Sequence, residues 1–261
     1  MGVLNVTPDS FSDGGRYLNA DAACEHARRM ISAGAAIIDV GGESTRPGAA
    51  PVALEEELAR VIPVIERLAG SAAVISIDTG KPEVMRAAAA AGAGLINDVR
   101  ALRAPGALQA LLESDCAVCL MHMQGEPATM QQAPRYLDVV NEIKAFLFER
   151  AQGCLAAGIA RQRIVIDPGF GFGKTPAHNL ELLRRLEEFT QGDWPVLVGL
   201  SRKSTLASIV GRGQEADRLP ASIACAVVAV FKGARIIRAH DVAATVDALK
   251  VVAALEAERA E

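Results

Sequence analysis

The chain is predicted to be an α/β protein, a single-domain (β/α)8 TIM barrel over residues 1–261. Three observations carry that prediction. Eight short apolar runs recur from end to end, helix-forming segments separate each from the next, and the runs close on polar residues. Continuous Val/Ile/Leu runs are what strands buried on both faces require, and eight of them alternating with helices close into a barrel. The length of 261 residues is close to the usual size of that fold.

The runs are Val3-Leu-Asn-Val, Ile37-Ile-Asp-Val, Val74-Ile-Ser-Ile-Asp, Leu95-Ile-Asn-Asp, Val118-Cys-Leu-Met-His, Ile164-Val-Ile-Asp, Val196-Leu-Val-Gly-Leu-Ser and Ile236-Ile-Arg-Ala-His. Helices are predicted near 20–33, 54–69, 82–91, 105–114, 137–157, 178–189, 203–231 with a break around Gly211–Gly213, and 241–258. Gly34, Gly92, Gly158 and Gly233 each sit just past a helix, the stop signal of a connection back to the next strand. The connections after strands are richer. Three of them, Thr7–Leu18, Gly41–Val52 and Met123–Tyr136, are long and built of Gly, Pro, Ser and Thr, as functional loops are. The first strand begins almost at residue 1, so a segment capping the N-terminal mouth of the barrel is expected to be missing.

Composition narrows the class of function. Hydrophobic residues make up 51% and aromatics 4%, so the core must be aliphatic and alanine-rich. A net charge of −4 gives no support for nucleic-acid binding, and an anionic substrate would need a local cluster of cations. With no long apolar span and no secretory leader pattern, no membrane association and a cytoplasmic location are expected. Five cysteines, an odd count, argue against a disulfide scaffold. Cys116 and Cys119 form a C-x-x-C, but at the start of a strand alternation turns them to opposite faces, so a structural role is expected.

The polar strand ends outline a site, because a barrel of this kind does its chemistry at the carboxyl ends of its strands. Asp78 and Asp167 end the third and sixth runs with Asn97 between them. Two acids there could serve as general acid and base, as metal ligands or as hydrogen-bond acceptors. A heterocycle rich in N–H groups, such as an aminopyrimidinone, would satisfy them. Arg238, His240 and Asn5 come from the last and first runs, neighbours once the barrel closes, and suit a phosphate. Lys203, in Ser201-Arg-Lys, is a clamp for a ligand carbonyl or ring nitrogen. His122 alone is expected to be structural. Gly169-Phe-Gly-Phe-Gly-Lys-Thr175 mimics a phosphate-binding loop, but Pro168 stands where that loop needs glycine, so an NTPase is not expected. The turn instead leaves room for a flat ligand against Phe172.

Long motifs carry a family resemblance. Met1-Gly-Val-Leu-Asn-Val-Thr-Pro-Asp-Ser-Phe-Ser-Asp-Gly-Gly15, Asp39-Val-Gly-Gly-Glu-Ser-Thr-Arg-Pro-Gly48, Ile96-Asn-Asp-Val, Leu120-Met-His-Met-Gln-Gly125, Asp167-Pro-Gly-Phe-Gly-Phe-Gly-Lys174, Ser201-Arg-Lys-Ser204 and Arg238-Ala-His-Asp-Val242 resemble the signatures of dihydropteroate synthases. The resemblance implies a homodimeric barrel. It implies an enzyme that joins 6-hydroxymethyl-7,8-dihydropterin diphosphate to 4-aminobenzoate with Mg²⁺ present, in folate biosynthesis, by an SN1-like route. Asn5 would be the Mg²⁺ ligand. Asp78, Asn97, Asp167 and Lys203 would hold the pterin, and Thr45, Arg238, the backbone of Ala239 and His240 the diphosphate. Ser201, Phe172, Phe11, Arg46 and Pro47 would form the aminobenzoate pocket. Asp39 would help hold the loops closed. The catalytic set is then Asp78, Asp167, Lys203, Arg238 and His240. A pterin-binding methyltransferase shares the barrel and the acids, but would not need Arg238, His240 and the Ser-Thr-Arg-Pro loop together. The pattern departs at Ala239, where Val is usual, and at Gly80, where Ser is common. No two-residue insertion follows Phe172, so sensitivity to sulfonamides is expected.

Overall fold

The computed structural model describes residues 1–7, 16–44, 50–211, 214 and 218–257. Eight parallel strands lie within them: β1 Gly2–Asn5, β2 Ile37–Gly41, β3 Val74–Asp78, β4 Leu95–Asp98, β5 Ala117–Met121, β6 Ile164–Asp167, β7 Leu197–Val198 and β8 Ile236–Ile237. The first six form one sheet in chain order, and the last two pair with each other. Bridges of Ile166 to Val196 and of Gly2 to Ala239 join the two pieces, so the ring closes. Val3 N donates to the Ala239 carbonyl and Ala239 N to the Met1 carbonyl, completing the seam.

The helices are α1 Arg16–Ser32, α2 Leu54–Leu68, α3 Pro82–Ala90, α4 Ala107–Leu112, α5 Val139–Ala156, α6 Pro176–Arg184, α7 Glu187–Thr190, α8 Ser204–Val210, α9 Leu219–Phe231 and α10 Val242–Ala257. The helix expected over 178–189 is two helices beginning at Pro176. Thr175 caps it by accepting from His178 N, His178 reciprocates through Nδ1, and Pro176 fills the first turn where no N–H is needed. The segment expected over 203–231 is likewise two helices, α8 stopping at Val210 and α9 starting at Leu219. The four glycines read as stop signals all take positive φ, from 92° to 107°.

Alternation along the strands sorts the core into two compartments. Ile38, Val40, Ile75, Ile77, Ile96, Val118, Leu120, Ile164 and Ile166 point outward into the main core beneath the helices. Leu95, Cys119, Val165 and Leu197 form a separate small cluster inside the barrel, with Ile37, Ala117 and Ile236 packed against it. Cys116 belongs to the outer core and Cys119 to the inner cluster, on the opposite faces expected of them, and all five cysteines are free thiols. Among the described residues, no helix is long and apolar enough to cross a membrane.

Above the inner apolar plug the interior turns polar. The register runs Asn5, Gly41, Asp78, Asn97, Cys119 across β1 to β5. Asp39 lies one layer below, level with Ser76. The barrel therefore has an oily floor and an acidic upper layer.

Candidate active site at the carboxyl ends of the strands

Asp39 is the hub of that polar layer. It is fully buried, yet its carboxylate accepts from Ser76 Oγ at 2.6 Å, Asn97 Nδ2 at 3.0 Å and Arg238 Nε at 2.6 Å. A buried charge is tolerable only when its lone pairs are met in this way. Asp39 thus fixes Asn97 and Arg238 from below, within the barrel, rather than holding loops closed.

Arg238 reaches further and donates through Nη2 to Asp78 Oδ2 at 2.9 Å. The sequence pointed to Arg238 as a phosphate ligand, and the structure shows it bridging two acids. Burial works against its charge, but the Asp39 and Asp78 carboxylates outweigh that and hold its proton more tightly than usual. Asp78 is pushed up to about 7 by burial and by the like charge of Asp39, against the pull of Arg238. Asp167 is pushed up to about 6 by burial, although its Oδ1 accepts from Gly169 N at 2.7 Å and Lys203 lies near. Two carboxyls with values moved toward neutrality in one cavity mark a functional site rather than a surface ion pair.

The Gly-rich turn after β6 is held by Lys174, whose role the sequence did not disclose. Its buried ammonium donates to the carbonyls of Gly169 at 2.8 Å, Phe172 at 2.9 Å and His122 at 3.3 Å, and lies 3.0 Å from His122 Nδ1. Burial lowers Lys174 to about 7, and burial with the neighbouring cation lowers His122 to about 2, so the imidazole is neutral. His122 is structural, as expected. The turn lies directly on the chain leaving β5. A Cβ on Gly169 would stand 1.9 Å from the His122 carbonyl oxygen, and its φ is +69°. Gly169→Ala should therefore displace the turn and cost about 1–3 kcal/mol. An unchanged urea midpoint would refute that placement.

Phe172 packs with Val99, Met121, Met123 and Met130 in an apolar wall, and Lys203 Nζ lies 4.1 Å above the centre of its ring. Ser201 Oγ accepts from His240 N at 3.1 Å and sits 3.1 Å from its Nδ1. Burial, with Arg238, Arg202 and Lys203 nearby, lowers His240 to about 4. The imidazole is therefore neutral in the empty site at neutral pH and can donate a hydrogen bond. Ala239 is buried and its N–H is already given to Met1, so that N–H is not offered to a phosphate. Asn5 Oδ1 and Asp78 Oδ2 both lie 3.8 Å from where a Cβ on Gly41 would stand, so the two side chains flank that position. Phe11, Thr45, Arg46 and Pro47 lie outside the described residues.

The geometry defines a class of protein: a closed (β/α)8 barrel whose carboxyl strand ends bring together acids, an apolar wall and cations. The family described as pterin binding enzyme matches residues 1–240. The dihydropteroate synthase of Escherichia coli strain K12 is 56% identical over 255 residues, covering 97% of this chain and 90% of its own length. A dihydropteroate synthase of Yersinia pestis solved with a sulfonamide drug superposes with a TM-score of 0.93 at 52% identity, over 98% of this chain and 94% of that one. One from Xanthomonas albilineans solved with 4-aminobenzoic acid gives 0.93 at 53%, over 98% and 92%. The chain belongs to the dihydropteroate synthase family of pterin-binding enzymes, transferases of folate biosynthesis.

Proposed function

We propose that this chain condenses 6-hydroxymethyl-7,8-dihydropterin diphosphate with 4-aminobenzoate, giving 7,8-dihydropteroate and diphosphate. The observation that carries the assignment of roles is that Asp78 and Asp167 end β3 and β6, with Asn97 of β4 level with Asp78. Ring N–H and amino groups of a pterin donate to the two carboxyls, Asn97 meets its acceptors, and Phe172 with its methionine neighbours covers one face. Lys203, 4.1 Å above that ring, clamps the ligand's edge.

The carbon–oxygen bond to diphosphate breaks first, and the electron pair leaves with the diphosphate. The cation left at the methylene carbon is shared with the reduced ring, and the Asp78 and Asp167 carboxylates stabilise it in a water-poor cavity. The amine of 4-aminobenzoate then forms the new carbon–nitrogen bond and loses one proton. Arg238 and Thr45 meet the departing phosphates, and His240 donates a hydrogen bond to them. Ser201, Arg46, Pro47 and Phe11 complete the aminobenzoate side. Among the described residues no group of three or more His, Cys, Asp or Glu is arranged around a metal. A Mg²⁺ would come in on the diphosphate, with Asn5 Oδ1 as its protein ligand, because Mg²⁺ commonly binds through substrate phosphates and few protein oxygens. It supplies neutralisation of the leaving group's charge.

The deciding experiment incubates the protein with the pterin diphosphate, 4-aminobenzoate and Mg²⁺. Diphosphate release should depend on all three and be inhibited by a sulfonamide competing with aminobenzoate. Release without aminobenzoate, or methyl transfer instead, overturns the assignment. A homodimer is part of the same proposal. Val228 and Phe231 on α9 and Val251 and Leu255 on α10 are exposed at 40%, 48%, 61% and 51%, a patch that a second copy would cover. Phe231→Glu should convert a sedimenting dimer to a monomer, and a dimer that persists places the interface elsewhere.

A further inference from the structure

The two shortest strands meet at the leaving-group corner of the site. β7 and β8 pair over Leu197 with Ile236 and Val198 with Ile237 only. The bond from Arg238 N to the Val198 carbonyl carries the backbone contact one residue further. Above that point side chains take over. Ser201 is bonded to His240, and one residue beyond, Arg202 grips Asp241 with both arms of its guanidinium. Nε donates to Oδ2 at 2.9 Å and Nη2 to Oδ1 at 2.6 Å. Such a two-point pair fixes orientation as well as distance.

Arg202 is also held in an unfavourable backbone state. Its φ is 58°, the left-handed region that a branched or long residue adopts only where its surroundings impose it. Those surroundings belong to α9. Arg202 N donates to Ser222 Oγ at 3.0 Å, and its carbonyl accepts from Arg218 Nη1 at 2.8 Å. Asp241 is fastened from the other side, its carbonyl accepting from Thr245 N at 3.0 Å and Thr245 Oγ1 at 2.8 Å in the first turn of α10. The pair thus ties the segment carrying Ser201 and Lys203 to the segment carrying Arg238 and His240.

We propose that Arg202 and Asp241 are positioning residues that hold Lys203 and His240 at a fixed separation across the site. Their guanidinium and carboxylate are spent on each other, so they act through their neighbours. This rests on the reading above that His240 meets the diphosphate and Lys203 the pterin. The rival explanation is electrostatic: Arg202 pushes the His240 proton off, while Asp241 draws it on.

The two explanations diverge in single variants. Arg202→Met removes a cation and should raise the His240 titration midpoint, and Asp241→Asn removes an anion and should lower it. NMR of labelled histidine can follow this, since the chain has only 4 histidines. If the pair positions, both variants lose kcat with the pterin diphosphate by roughly tenfold to a hundredfold, the scale of a small misplacement. Both should lose far less affinity for a diphosphate-free pterin than they lose in kcat, and Arg202→Met/Asp241→Leu should be no worse than the poorer single, since the pair acts as a unit. Arg202→Lys, which keeps charge but not the two-point grip, should lose kcat with little change in the His240 titration. Activity that moves in opposite directions in the two single variants overturns the proposal. So does full activity in Arg202→Lys, or loss of diphosphate-free pterin binding in every variant. His240→Ala tests the underlying reading separately: if it leaves use of the diphosphate substrate intact, the assignment of that corner fails whatever the Arg202 variants do.

Discussion

Arg238→Ala is expected to lower the unfolding free energy by about 3–5 kcal/mol, the cost of leaving a buried partner charge uncompensated, and to abolish diphosphate release. The magnitude follows from what Arg238 touches. Its guanidinium bridges Asp39, which is fully buried, and Asp78, which is nearly so, with side-chain exposures of 0% and 11%. Removing the cation leaves two acids facing each other with no counter-charge. Asp78 then holds its proton to still higher pH, so pterin binding suffers as well as handling of the leaving group. The companion variant Arg238→Ala/Asp39→Asn should recover part of the stability and none of the turnover, because a neutral amide no longer needs the cation. Urea unfolding with a diphosphate-release assay on the same preparations checks both halves. A stable single variant would mean that the acids do not depend on Arg238.

Asp167→Asn should break the enzyme while making the empty protein more stable at alkaline pH. Loss of a charged hydrogen bond to the pterin should cost on the order of 1.5–3 kcal/mol of binding. Stability moves the other way. The folded value of Asp167, about 6, lies above its ordinary 3.8, so the folded state keeps the proton longer than the unfolded chain. The unfolded state therefore ionises first, and stability is lost as pH rises from about 4 through 6. An asparagine keeps an oxygen for Gly169 N and never ionises. The variant should exceed the parent by roughly 2–3 kcal/mol at pH 8, with the gain vanishing toward pH 4. Urea midpoints across that range give the answer. A parent more stable than the variant at pH 8 would show that Asp167 is not penalised in the empty site.

The strands, their order and the polar residues at their ends were legible in the sequence because they are local facts. An apolar run of four or five residues closing on Asp78 or Asp167 states its own burial and its own polar tip. Glycine after each helix states a turn that no other residue makes cheaply, and Gly34, Gly92, Gly158 and Gly233 all proved to take positive φ. The start of α6 was placed two residues late, because the periodic pattern does not include the Thr175-Pro176 cap.

Partnership was not legible. Arg238 and Asp39 are 199 residues apart, and only closure of β8 onto β1 brings the guanidinium over β2 and β3. The strand ends showed that a cation and several acids would share a cavity. They did not show that the cation would be taken by two of those acids, or that Asp39 would anchor Asn97 from below. Pro168 already argued against a phosphate loop, but nothing local showed that the chain leaving β5 would set His122, 52 residues away, against the Lys174 ammonium. Desolvation decided the rest: burial raises Asp78 and Asp167 and lowers His240. Residue type and spacing specify which groups reach the barrel's mouth. The charge each carries there depends on burial and on neighbours across the ring, and those exist only once eight strands have closed.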